Sequence, residues 1–160
     1  MNNQEILEKF KSIRAYKEND YISLHKPILL LYALAQCLHS RERLLSFQEI
    51  DTEFQKLFSK LSFQGKSENS HYPFGKLEND EVWQVTNSKN LKRTSVGHLH
   101  KKELLDDGIT GGFTPEIYNA FKNNKELLRS VFEHVLDTYI DAKLHDSVFT
   151  LLNIGVNQWR

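Results

Sequence analysis

The sequence predicts a mainly α (α+β) fold, a compact helical domain carrying a β-hairpin in a winged-helix-like arrangement. Three stretches predict it. "PILLLYALA" at 27–35 is an apolar run too short to span a bilayer, which takes roughly 20 residues, so it reads as a central buried helix. "NKELLRSVFEHVLDTYI" repeats its apolar residues at helical spacing. "HYPFGKLENDEVWQV" at 71–85 crosses an acidic turn and returns as an alternating apolar strand. A chain of 160 residues has the length for one core, and residues 1–160 are expected to form a single domain.

Taken in order, Ile6, Leu7, Phe10 and Ile13 make an amphipathic first helix over residues 3–16. Pro27 suits a first helical position and opens a second helix to about His39, with Leu29, Leu30, Leu31, Tyr32 and Leu34 in the core. Ser46 is an N-cap with Glu49 three residues on, ahead of a stripe of Ile50, Phe54, Leu57, Phe58 and Leu61. "QGKSENS" breaks that pattern, and the hairpin follows with its turn at Glu78 to Glu81. In it Phe74 points inward, Tyr72 points outward, and Trp83 packs the return strand onto the body. The next segment reads mostly as loop, with a short strand or turn near "SVGHLH". Gly108, Gly111 and Gly112 punctuate what comes after, the pair marking positive φ or a close approach. Thr114 and Pro115 start a short helix to about Phe121. The long helix through Leu127, Leu128, Val131, Phe132, Val135, Leu136 and Tyr139 follows, and "KLHDSVFTLLNIG" adds a last short one.

Composition narrows the function classes. Hydrophobic residues make up 39% and charged residues 26%, ordinary globular usage that speaks against disorder and against a membrane protein. No basic and then apolar leader follows Met1, so a cytoplasmic location is expected. Cys37 is the only cysteine, which excludes an internal disulfide and a cysteine-rich metal site. The 21 basic and 21 acidic residues cancel, but they are not mixed evenly. Residues 86–102 hold no acid, while Lys89, Lys92, Arg93, Lys101 and Lys102 stand there with His98 and His100. Such a face suits an anionic partner.

The residues do not assemble an enzyme. No phosphate-cradling glycine loop and no G-x-S-x-G elbow is present. A metal-dependent hydrolase built on His98 and His100 with His71 or His145 is an open alternative, without the H-E-x-x-H or Cys pair that would support it. A generic winged-helix domain binding DNA or protein is another. No cofactor is expected.

Four segments, "HKPILLLYALAQ", "YPFGKLENDEVWQV", "GGFTPEIYNAF" and "LLRSVFEHVLDTYI" with "LHDSVF", resemble in order and spacing the DNA sulfur-binding domain of McrA-type endonucleases that act on phosphorothioate DNA. The resemblance implies a binding module for double-stranded DNA in which sulfur replaces a non-bridging phosphate oxygen. It further implies a shallow hydrophobic cavity for the sulfur, mapping onto Tyr72, Pro73, Lys26 and the wall position Lys76. Around it, the resemblance maps a DNA contact onto His25, and charge and glycine placement extend the expected DNA contacts to His71, Lys89, Lys92, Arg93, Ser95, His98, His100, Lys101 and Lys102, with backbone approach at Gly111 and Gly112. The sequence departs from the family where Gly75 replaces a frequent aromatic and Lys26 an arginine, which removes a bidentate contact. A nuclease domain or nuclease partner is implied beyond these residues.

Overall fold

The computed structural model describes residues 1–15, 17–18, 21–62, 69–155 and 159; most of "QGKSENS" lies outside them. Helix α1 (Asn3–Lys11) opens with a capping box in which the Asn2 side chain accepts from the Glu5 N–H. It stops at Lys11, short of the expected Tyr16, although Ile13 is still buried. Strands β1 (Lys17–Glu18) and β2 (Tyr21–Ile22) pair antiparallel before α2 (His25–Leu38). Pro27 is the third residue of α2 rather than the first, which its missing N–H allows because the first turn has no partner for that group.

Helix α2 is buried nearly all round and forms the centre. It packs against α3 (Phe47–Leu61), α4 (His71–Lys76), α6 (Pro115–Asn123) and α7 (Lys125–Tyr139). Ser46 caps α3 as expected, its Oγ accepting from the Glu49 N–H at 3.2 Å. Thr114 precedes α6 without a side-chain cap, and Pro115 occupies its first turn. Asn124 ends α6 and caps α7 by accepting from the Leu127 N–H. Helix α8 (His145–Leu151) follows a 3₁₀ turn at Ala142–Leu144. Cys37 is half-buried in α2, where burial pushes its thiol up to about 12.

The expected hairpin is replaced by another arrangement. Residues His71–Lys76 are α-helical, Leu77–Asp80 form a 3₁₀ turn, and Glu81 closes it at φ +64°. Only β4 (Trp83–Val85) is extended. Its neighbour is β5 (Thr110–Phe113), the stretch read from its glycines as punctuation, and β5 also pairs with β3 (Leu45–Ser46). The antiparallel order is β3-β5-β4. The alternation of Tyr72 and Phe74 misled because Phe74 and Leu77 are also three apart, a helical spacing, and both are fully buried.

Glycines set the depth of this sheet. A Cβ on Gly112 would stand 1.9 Å from the Arg43 carbonyl oxygen, and one on Gly111 would stand 2.6 Å from the Phe74 ring. The close approach expected at this pair is therefore to the protein itself. Gly111 and Gly112 are buried in the central strand, at negative φ. Above them Phe74, Trp83, Phe113, Phe121 and Phe10 form a series of edge-to-face contacts, with Phe10 and Phe121 tilted at 46°, and centroids 5.4 to 6.1 Å apart.

Candidate nucleic-acid interface

Helix α4 has a poor helical sequence, with His, Tyr, Pro and Gly in six residues. Tertiary contacts hold it. Phe74 anchors it in the core, and Gly75 leaves room for Leu99, which a Cβ there would meet at 3.0 Å. At its start the fully buried Ser70 hydroxyl donates to Asp51 of α3 at 2.6 Å. The same carboxylate oxygen accepts from Gln55 at 3.1 Å and pairs with Lys101 at 3.3 Å. Lys101 opens α5 (Lys101–Asp106), a helix where a loop was expected. One buried carboxylate thus ties α3, α4 and α5 together.

On the outer side of α4, the Tyr72 ring stacks on His98, with centroids 3.7 Å apart and planes 14° from parallel. His71 meets the Tyr72 ring edge-on at 4.6 Å. Burial, helped by the charge of Lys101, holds His71 down at about 4, so its imidazole is neutral. His98 is also lowered, by burial first and Lys76 second. At the end of α4 the Lys76 ammonium donates to the Val96 carbonyl at 2.7 Å. The turn it grips is tight. Thr94 N–H donates to His98 O at 2.8 Å, Gly97 N–H donates to Thr94 O at 2.9 Å, and Gly97 takes φ +86°. A bridge between Arg93 and Leu99 closes its base, the short paired element expected near "SVGHLH".

The structure therefore gathers Tyr72, His71, His98, Lys76 and Lys101 around one helix. His25 and Lys26 begin α2, which packs on that helix. Lys26 pairs with Asp80 at 2.7 Å, just beyond α4, while His25 accepts or donates through Nδ1 to the Ser23 hydroxyl at 2.7 Å and lies 4.7 Å from Phe58. Burial lowers the His25 pKa. Pro73, beside Tyr72 in α4, is buried.

The basic segment divides. Arg93 is exposed, and its guanidinium donates to the Ser88 and Leu91 carbonyls and to the Ser88 hydroxyl, near Glu78. Lys102 pairs with Asp106 along its own helix. Lys89 and Lys92 are exposed and have no carboxylate partner among the described residues, and Ser95 and His100 are exposed as well. The Lys76 ammonium is held by a carbonyl, not a carboxylate. Asp51, Asp80 and Val96 escaped the sequence reading. An acid beside Ile50 at the edge of an apolar helical stripe was the available signal for Asp51. Among the described residues no three His, Cys, Asp or Glu side chains are placed to hold a metal ion, and no helix is long and apolar enough to cross a membrane.

The family model for the ScoMcrA-like DNA sulfur-binding domain matches residues 3–157. The chain belongs to that family. Among solved structures, the sulfur-binding domain of ScoMcrA complexed with phosphorothioated DNA superposes with a TM-score of 0.86 at 21% identity, covering 96% of this chain and 98% of that one. The corresponding domain of SprMcrA, also complexed with phosphorothioated DNA, gives 0.76 at 17% identity over 96% and 95%. The phosphorothioation-dependent type IV restriction endonuclease ScoMcrA gives 0.81 at 23% identity, and the match covers 96% of this chain but 34% of that one. At these identities the superpositions establish a common fold. No match was found among curated proteins.

Proposed function

We propose that this chain binds double-stranded DNA in which sulfur replaces one non-bridging phosphate oxygen, as the targeting module of a modification-dependent restriction system. Membership of the sulfur-binding family along residues 3–157 carries the reading. Cleavage belongs to another domain or a partner, as suits a match to about a third of the ScoMcrA endonuclease.

The chemistry follows from what Tyr72 and Lys76 present. A phosphate oxygen is strongly hydrated, and taking it into apolar surroundings without donors costs several kcal/mol, roughly. Sulfur is larger and weakly hydrated. The open part of the Tyr72 ring and the alkyl stem of Lys76 accept sulfur and leave an oxygen without donors, so the discrimination comes partly from penalising the ordinary linkage. His98 stacked on Tyr72 fixes the ring in place before DNA arrives, which lowers the ordering cost of binding. Affinity for the duplex then comes from phosphate neutralisation by Lys89, Lys92 and Lys76, with His25 and Lys26 alongside.

The test is a titration against two duplexes identical except for one phosphorothioate, at fixed moderate salt and in several flanking sequences. Tighter binding of the sulfur duplex is expected. Tyr72→Ala is expected to abolish that preference while keeping salt-sensitive binding to both duplexes. Equal affinities with the unaltered protein in every context would overturn the reading.

A further inference from the structure

We propose that Val96 is a specificity-determining residue that contacts the methyl group of a thymine near the modified linkage. The inference rests on the DNA-binding function proposed above. Val96 has 66% of its surface exposed, the highest value among the exposed large hydrophobic side chains of the described residues. Single exposed aliphatics are common on protein surfaces and need no explanation by themselves. What distinguishes this one is the stiffness of its support.

The Thr94–His98 turn is fixed from several directions. Two backbone hydrogen bonds close it, the Thr94 hydroxyl accepts from the His98 N–H at 3.1 Å, and Lys76 holds the carbonyl of Val96 itself. Gly97 fits the turn in two ways. Its φ of +86° suits glycine, and a Cβ there would stand 2.8 Å from the Lys76 ammonium. Behind the turn, Leu99 is buried against Gly75, and His98 is stacked on Tyr72. The ties through Lys76, Leu99 and His98 run to α4, so the apolar tip keeps a fixed offset from the residue assigned to the sulfur.

The surroundings suit DNA. The tip is flanked by the small polar Ser95 and by Gly97, and Lys92 stands exposed at the foot of the turn in the acid-free segment. A tip this narrow enters a major groove about 12 Å wide, where the thymine methyl is the apolar mark on the base edges. Val96 is β-branched, so it offers two methyl groups in a restricted rotamer at little entropic cost. A hydroxyl or amide at this place would instead favour a hydrogen-bonding base edge.

The experiment uses sulfur-bearing duplexes in which each thymine near the linkage is replaced in turn by deoxyuridine, which lacks only the methyl. At one position the unaltered protein is expected to prefer thymine about fourfold, the value of one buried methyl group. Val96→Ser is expected to bring that ratio to one, and Val96→Ile to preserve it. Thymine and deoxyuridine bound equally at every position, or an unchanged ratio in Val96→Ser, would overturn the proposal. The sulfur-to-oxygen ratio of the unaltered protein separately tests the parent function, and in its absence the thymine ratio is read on the unmodified duplex. No binding to any duplex defeats both.

Discussion

Helices α2 and α4 lie against each other and stand for opposite reasons. Helix α2 is built of Leu, Ile, Ala and Tyr and is buried along Pro27–Ala35, so burial alone is enough to form it. Helix α4 is six residues of poor helix formers whose shape comes from Phe74 in the core, Ser70 on Asp51 and Lys76 on Val96. The first helix is stable material, and the second is a mount. A mount whose shape depends on its surroundings can display Tyr72 at a defined angle, and it can be dislodged without unfolding the rest.

That contrast is broken most severely at Phe74. Phe74→Ala is expected to cost about 3–5 kcal/mol and Leu34→Ala about 2–5 kcal/mol in urea unfolding. The sulfur preference should vanish in Phe74→Ala at temperatures where it still folds, and survive in Leu34→Ala. Matching losses in binding would mean α4 is no more dependent on its anchor than α2. Next in size is Asp51→Ala, which leaves the buried Ser70 hydroxyl without its acceptor. A loss of about 1–3 kcal/mol is expected, with faster hydrogen exchange in α4 before α2.

The third effect depends on pH. The fold lowers the His71 pKa to about 4, so the neutral imidazole is the folded form. The unfolded chain takes up a proton first, and this contribution to stability is complete above about 6.5 and is lost as pH falls toward 4. His25, His98 and His134 are shifted the same way and add to it. His71→Gln should flatten the urea midpoint between those limits, and an unchanged profile would sink the assignment. Smallest is Lys92→Ala, which should lower the salt slope of binding by about 0.9 and leave stability as it was. Arg93→Ala should instead cost stability, since that side chain fastens Ser88 and Leu91.

Legibility in the sequence follows the same division. The central helix, the capped α3 and the long α7 were readable because period and caps are local signals. The core placement of Phe74 and the outward Tyr72 were also readable, although on the wrong element. The helical state of α4 was hidden because it is decided by Asp51, Leu99 and Gly111, residues distant in sequence. Strand β5 was hidden because its glycines signal a turn unless Arg43 and Phe74 are known to press on them. Of the candidate site, Tyr72, His71, His98, Lys76 and Lys101 came together, while the carboxylate partners of Arg93, Lys101 and Lys102 are pairings that charge counting cannot show.

The sheet order carries a consequence for how the molecule is made. Its central strand is the last of its three in the chain, and its neighbours lie near residues 45 and 84. No adjacent pair can zip up early, so loop-closure entropy is met before any ladder bond forms, and the sheet belongs to the late part of folding. Phe74 reaches its final packing only when Gly111 arrives against it. A nascent chain emerging from the ribosome therefore shows no finished packing of α4 until residue 113 is out, and that helix takes its final place in the same step that completes the sheet.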